Sequence, residues 1–224
     1  MDTTMSDVRE LFGGCLSAIL PPGVKDVSEL REIPDNQEVF VHPMTDQSLI
    51  IEILEYVEEP DEQAIRTHFD DVADSNGASS NEDNTLQHTE QVDKSQTRMS
   101  ETHFDDVADS NGASSNEDNT LQHTEQVDKS QTRMSECDKI YYILGQQRVS
   151  EFKESSKNLI NVHMGLFRLP TYTTDILVTF NDPVSIDPDS SSHAAIPVSA
   201  SRWMEEEFQS VVKSLSIDDP AIFT

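Results

Sequence analysis

The feature that most constrains this chain is an internal duplication whose two copies do not differ at any position. Residues 67–101 read THFDDVADSNGASSNEDNTLQHTEQVDKSQTRMSE, and residues 102–136 repeat all 35 of them. A solenoid needs about three or more units, each with an apolar face to stack, but this unit has only seven apolar residues. We therefore predict one domain over residues 1–224, interrupted by an acidic tandem copy.

Outside the two copies the composition is that of a globular domain. Each copy has eight acidic and two basic residues, so the pair carries 12 of the 28 net negative charges and the other 154 residues carry 16. The body of each copy, ADSNGASSNEDNTLQHTEQ, has the composition of a disordered loop, and its opening, His68–Val72, is predicted to be a short strand. Two identical segments then compete for one place in the fold. We favour the first copy because it directly follows the preceding helix.

Charge and hydropathy exclude several classes of function. A net charge of −28 repels phosphates, and the clustered Lys and Arg that drive nucleic-acid binding are missing, so we expect no nucleic-acid partner. No apolar run approaches the roughly 20 residues that span a bilayer. The acidic start MDTTMSDVRE lacks the basic and apolar parts of a signal peptide. We expect an intracellular chain without direct membrane insertion, whose two cysteines, Cys15 and Cys137, are inert thiols.

The motif search supports neither catalysis nor a bound metal. The sequence contains no G-x-G-x-x-G loop, no G-x-S-x-G elbow and no His-Glu-x-x-His pair. The run Glu205–Glu207 occupies successive helical positions, which point in different directions. We therefore predict no catalytic residue, no metal site and no cofactor. Four histidines recur only because the unit is copied, at spacings that match no ligand pattern: His68, His88, His103 and His123.

Local patterns predict an α/β fold with a largely antiparallel sheet flanked by helices. The segments 162–169 and 175–180 are predicted to pair with each other. The run Ile176–Val178 is apolar on both faces, as in a central strand that is covered on both sides. Ser201 is expected to cap a final helix in which Met204 faces the core. Further strands are expected at residues 15–20, 38–42 and 139–144.

The segment Ser48–Glu59 carries the clearest helical pattern. Its apolar residues follow the spacing i, i+3, i+4, i+7, at Ile50, Ile53, Leu54 and Val57. On the opposite face, Glu52, Glu55 and Glu59 form an acidic stripe without a Lys or Arg to neutralise it. The stripe is either a solvated face or a docking surface for a basic partner, and the spacing leaves both open. Further acidic residues precede this segment: Asp26, Glu29, Asp35 and Glu38.

The regions before and after the copies carry long, specific motifs. PDNQEVF is followed by TDQSLIIEILE, residues 164–183 read MGLFRLPTYTTDILVTFNDP, and the chain ends on SIDDPAIF and one Thr. These motifs closely resemble the Ran guanine nucleotide release factor family, the MOG-type Ran-binding proteins. The resemblance covers almost all of the 154 residues outside the copies, with one copy filling the family's middle segment. It implies a compact α/β/α sandwich, similar to the PsbP-like fold of a lumenal photosystem subunit.

The resemblance also implies a function. Proteins of this family bind the nuclear-transport GTPase Ran and promote loss of its nucleotide, without covalent chemistry. Their acidic surface includes two carboxylates that fall on Glu52 and Glu55 here, and Asp26, Asp35 and Glu38 lie in matched motifs. We therefore expect a monomeric, non-enzymatic Ran-binding protein of the nucleus and cytoplasm. An adaptor that escorts a membrane or cargo protein remains the alternative.

Overall fold

The computed structural model of the protein describes residues 8–76, 78, 84–85, 121–150, 157–185 and 201–223. Among these residues no helix is both long enough and apolar enough to cross a membrane. The helices and strands, in chain order, are β1 (Val8–Leu11), β2 (Leu16–Ile19), β3 (Lys25–Asp26), β4 (Gln37–Val41), β5 (Ser48–Glu55), α1 (Asp61–Ser75), β6 (Asn84–Thr85), β7 (Leu121–Gln126), β8 (Lys139–Ser150), β9 (Lys157–Leu169), β10 (Thr174–Ser185), α2 (Glu205–Ser214) and β11 (Ser216–Ile217).

The strands form two sheets. Eight strands make up the main sheet, in the order β3-β4-β5-β10-β9-β8-β6, with β7 also paired to β8. A smaller sheet has the order β1-β2-β11. Every pairing among the described strands is antiparallel. The predicted antiparallel sheet is therefore confirmed, and so is the predicted pair of neighbouring strands, which is β9 and β10.

The two helices cover opposite faces of the main sheet. Successive residues of a strand point to opposite faces, so β10 places Ile176 and Val178 in one apolar cluster and Leu177 in the other. The first cluster contains Phe208 of α2, and the second contains Phe69 of α1. This arrangement is the predicted α/β/α sandwich, in which β10 is covered on both sides.

The predicted helix over Ser48–Glu59 is wrong, because Ser48–Glu55 is strand β5. The strand pairs with β4 on one side and with β10 on the other. Leu49 and Ile51 are fully buried. A strand that packs on both faces has apolar residues at consecutive positions, and such a run also satisfies the helical spacing over a short window. Pairing with two neighbours decides in favour of the strand.

The predicted strand His68–Val72 is also wrong, since these residues lie in the second half of α1. The helix begins after Pro60 with Asp61 and Glu62 in its first turn, where carboxylates are favoured by the helix dipole. Its buried residues follow helical spacing, at Ala64, Ile65, His68, Phe69, Val72 and Ala73. The first copy does supply this segment, as favoured from the sequence.

The last helix begins later than predicted. The N-cap is Met204 rather than Ser201. The Met204 N–H donates to a carboxylate oxygen of Glu207 at 2.7 Å, which is the part of a capping box that the side chain at N3 supplies. The Met204 side chain is 59% exposed, so its predicted place in the core is wrong, whereas Phe208 is buried as expected.

Part of the duplicated region is a strand rather than the predicted loop. Leu121–Gln126 of the second copy forms β7 beside β8, and Asn84–Thr85 of the first copy forms β6 beside the same strand. The fold therefore takes its helical segment from the first copy and β7 from the second. The residues between these strands, including His88 and His103, lie outside the described part of the chain.

Candidate acidic docking site

The five carboxylates singled out from the sequence lie on or beside three neighbouring strands. β3, β4 and β5 are consecutive at one edge of the main sheet. Strand pairing sets Gln37 opposite Glu52 and Glu38 opposite Ile51. The structure thus brings the five carboxylates to one sheet edge but distributes them over both of its faces. The five carboxylates are those of Asp26, Asp35, Glu38, Glu52 and Glu55.

Glu52 lies on the face of the sheet that α1 covers. It is opposite Leu177 of β10, which packs in the α1 cluster. Gln37 Nε2 donates a hydrogen bond to Glu52 Oε1 at 2.6 Å. Burial raises the pKa of Glu52, the Gln37 hydrogen bond and His68 partly oppose this, and the charge of Asp71 raises it further. A partly desolvated carboxylate of this kind interacts more strongly with a cation than a fully solvated one does.

Glu38 and Asp26 are held by other parts of the protein. The Phe12 N–H donates to Glu38 Oε1 at 2.6 Å. Asp26 Oδ2 lies 2.9 Å from Arg9 Nη2, and Asp26 Oδ1 accepts the Ser28 N–H at 2.9 Å. These carboxylates fasten the β1 region to the edge of the main sheet. They contribute to the negative field of this edge, but their hydrogen-bonding capacity is partly used within the fold.

Glu55 and Asp35 are exposed near the end of β5. Glu55 is three residues from Glu52, and this odd separation on a strand places the two side chains on opposite faces. Glu59 lies beyond the strand. The predicted single stripe of Glu52, Glu55 and Glu59 is therefore wrong. Asn36, the residue after Asp35, accepts the Ile53 N–H with its carbonyl oxygen and donates its side-chain amide to the Ile53 carbonyl. These two hydrogen bonds place Asp35 beside the end of β5.

Helix α1 adds acidic residues from a region that is predicted from the sequence to be a strand and a loop. The charge of Asp71 raises the pKa of Glu52, which lies on the face of the sheet that α1 covers. Burial together with the charges of Asp71 and Asp74 raises the pKa of Asp70. The missed signal was Pro60 followed by two acidic residues, a typical helix start. We use the name acidic edge for Asp35, Glu52, Glu55 and Asp71.

A buried ionic network fixes the chain just after β5. Asp175 is fully buried; its Oδ2 lies 2.9 Å from Nε2 of His68 and accepts the Val57 N–H at 3.1 Å. Arg168 Nε lies 3.0 Å from Asp175 Oδ1, and Arg168 Nη2 donates to the Val57 carbonyl at 2.6 Å. Through these contacts α1, β9 and β10 all hold the segment that leaves the acidic edge.

The described residues form neither a metal cluster nor a disulfide. They include no group of three or more His, Cys, Asp or Glu side chains that could hold a metal ion. Cys15 and Cys137 are free thiols. Burial raises the pKa of Cys137 to about 12, so this thiol is protonated at neutral pH and is a poor nucleophile. What the carboxylates of the acidic edge can do is attract and orient cationic side chains.

The chain is similar to one known protein family over most of its length. The family model described as "Ran-interacting Mog1 protein" matches residues 9–100 and, separately, residues 85–183. The two matches overlap only within the duplicated region. This pattern is the one expected when an additional copy lies within the middle segment of a family member.

Relatives and solved structures agree with this match. The chain is 45% identical over 216 residues to a Ran guanine nucleotide release factor of Danio rerio, covering 96% of this chain and 98% of the relative. It is 36% identical over 215 residues to the protein of the same name from Homo sapiens, covering 95% of this chain and 94% of that relative. The structure of the Saccharomyces cerevisiae Ran-binding protein Mog1p matches with a TM-score of 0.55 at 19% identity, over 97% of this chain and 98% of that one.

Proposed function

Because this chain belongs to the Mog1 family of Ran-interacting proteins, we propose that it binds the small GTPase Ran and promotes release of its guanine nucleotide. In this role it supports protein transport between the nucleus and the cytoplasm and acts as a monomer in both compartments. It works by binding alone, without covalent chemistry. The observation that carries the proposal is the acidic edge at the end of β5.

The electrostatics of this edge favour a basic protein surface. Glu52 is partly desolvated, and Asp71 of α1 adds a second negative charge beside it. Opposite charges across an interface increase the association rate and fix the orientation of the partners. Salt screens such interactions over about 8 Å at physiological ionic strength, so we expect binding to weaken as salt is raised.

Nucleotide release follows from thermodynamic linkage. A protein that binds nucleotide-free Ran more tightly than nucleotide-bound Ran must weaken nucleotide binding by the same factor. A coupling of about 1–3 kcal/mol corresponds to a factor of roughly 5–150. We propose that Glu52 and Glu55 hold basic side chains of Ran in an arrangement that disfavours the bound nucleotide, with Asp26, Asp35 and Glu38 contributing to the negative field.

Reversing the charges of Glu52 and Glu55 is expected to weaken both Ran binding and the acceleration of nucleotide release. We expect Glu52→Lys with Glu55→Lys to weaken Ran binding at least about tenfold, which is about 1.4 kcal/mol, and to slow nucleotide release in parallel. Calorimetry and the release of a fluorescent nucleotide from purified Ran measure the two effects. Glu125→Lys with Glu206→Lys is the matched control, since both side chains are exposed on other elements and the net charge changes equally.

The outcomes of that experiment distinguish the two candidate roles. Wild-type affinity in the charge-reversed variant at low salt would exclude the acidic edge as the docking site. Ran binding by the wild-type protein without any acceleration of nucleotide release would instead favour an adaptor that escorts another protein.

Glu52 also makes Ran binding dependent on pH. Its pKa is raised above the usual 4.5, and a docked cation lowers it again, so binding releases a proton and strengthens as pH rises through that pKa. We expect the affinity ratio of wild type to Glu52→Gln to shrink as pH falls from 7 towards the raised pKa of Glu52. Gln keeps an acceptor for Gln37, so the fold should lose no stability. A ratio that does not change with pH would show that the Glu52 charge plays no part in binding.

A further inference from the structure

Strands β6 and β7 occupy consecutive positions along the same side of β8. Asn84 pairs with Gln147, Thr85 with Gln146, and Leu121 with Gly145. Thr85 is therefore followed by Leu121 in the pairing register, although 35 residues separate them in the chain. Together β6 and β7 form one strand whose first two residues belong to the first copy and whose remainder belongs to the second.

The junction between these strands joins equivalent positions of the repeat. In the sequence Leu121 is the counterpart of Leu86, the residue that follows Thr85. Removing residues 86–120 would therefore leave one intact copy of the unit and the same run of residues along β8. It follows that the fold needs only one copy and that either copy has the side chains to complete it.

We propose that residues 86–101 and 121–136 exchange in a single place beside β8, so that the protein interconverts between two isomers. In the isomer described above, the 35 additional residues are inserted between Thr85 and Leu121. In the other isomer, residues 86–101 continue directly from Thr85 and the insertion lies between Glu101 and Cys137. Both isomers contain the same side-chain contacts, because the exchanging segments are identical in sequence.

The contacts at the exchange site explain why one segment must occupy it. The Met134 side chain is fully buried in the cluster that α2 covers. Thr124 of β7 is also buried, and the Arg133 N–H donates to the Lys213 carbonyl at 3.0 Å. In the alternative isomer these contacts would be made by the counterparts of Met134, Thr124 and Arg133 in the first copy, which are Met99, Thr89 and Arg98.

The connections allow this exchange without disturbing other elements. Ser135 and Glu136 are exposed, so an insertion before Cys137 leaves the fold at its surface. The free energy of closing a flexible loop depends on the logarithm of its length, so moving the same insertion from one connection to another changes it little. Helix α1 is different, because the first copy begins inside it, after Arg66. Using the second copy there would interrupt a continuous helix, and the exchange is therefore confined to the strand and the turn after it.

Paired methionine substitutions test the exchange in the full chain. We expect Met99→Ala and Met134→Ala each to lower the urea midpoint only slightly, because the methionine of the other copy then fills the buried position. The double variant should lower the urea midpoint by more than twice as much as Met134→Ala alone does. Failure of the double variant to fold, while Met134→Ala still folds, would support the exchange equally. Equal shifts in Met134→Ala and the double variant, or unfolding of both, would overturn the exchange.

Methyl NMR gives a direct measurement of the same event. With ¹³C-methyl methionine, all of the Met99 signal should appear at the chemical shift of the buried methionine methyl group when Met134 is replaced by alanine. Assignment uses the spectra of the two single variants. Absence of a Met99 signal at that shift in Met134→Ala would exclude the exchange even if the midpoints were ambiguous.

Discussion

Phe69→Ala is expected to destabilise the protein by about 3–5 kcal/mol, whereas the same change at Phe104, its counterpart in the second copy, should leave stability unchanged. Phe69 is fully buried between α1 and the sheet. Its ring is so close to β8 that a Cβ on Gly145 would lie 2.4 Å from it. Alanine would remove these contacts and leave a cavity. Urea unfolding of the two variants, fitted with a common slope, measures the difference.

The pair of phenylalanines is a matched control, because the flanking sequences are identical. Asp61–Ser75 is one continuous helix in which Ile65 and Phe69 pack side by side against the sheet. Replacing its second half by the second copy would break that helix, so Phe104 is not expected to compensate. Equal losses in the two variants, or no loss in Phe69→Ala, would contradict the use of the first copy for α1.

The second large effect is expected from Asp175→Ala, which should cost about 3–5 kcal/mol because it removes the fully buried carboxylate that pairs with Arg168 and leaves only the part-exposed Asp61, 3.4 Å from Arg168 Nη1. Arg168 is 1% exposed, and its Nε lies 3.0 Å from Asp175 Oδ1. His68 and the Val57 N–H lose an acceptor in the same change. The loss is to be measured by urea unfolding with linear extrapolation to water.

Asp26→Ala provides the comparison for that prediction. Asp26 also pairs with an arginine at 2.9 Å, but the Arg9 side chain is 48% exposed. Exposed ion pairs contribute about 0–1 kcal/mol and the contact of Asp26 with the Ser28 N–H about 1 kcal/mol, so this variant should lose clearly less stability than Asp175→Ala. If Asp175→Ala were no more destabilising than Asp26→Ala, the buried network would not be what holds the segment after β5.

Two elements were assigned wrongly from the sequence, for different physical reasons. In SLIIEILE apolar residues occupy both faces of β5, and a short run of this kind fits both a helical and an extended spacing. In α1 the buried face includes His68, whose partner Asp175 lies 107 residues away in the chain. A polar residue that is paired inside the core interrupts the apolar pattern of a helix, and for this reason the sequence predicts a strand here.

The candidate site was only partly predictable. The resemblance selected Glu52 and Glu55 by position, and both lie on β5 beside other carboxylates. The predicted helical stripe placed them on one face, whereas the strand places them on opposite faces. Asp71 was missed because it lies within the copied unit, and its proximity to Glu52 depends on how α1 packs across the sheet. That packing is set by contacts far apart in the sequence.

The family resemblance and the antiparallel pair β9 and β10 follow from local patterns in the sequence. Contacts between distant parts of the chain select the first copy for α1 and make Ser48–Glu55 a strand. The reason is that two identical segments have identical local conformational preferences. The helix that begins at Asp61 and continues into Phe69 distinguishes the copies at α1, whereas beside β8 both copies offer the same side chains.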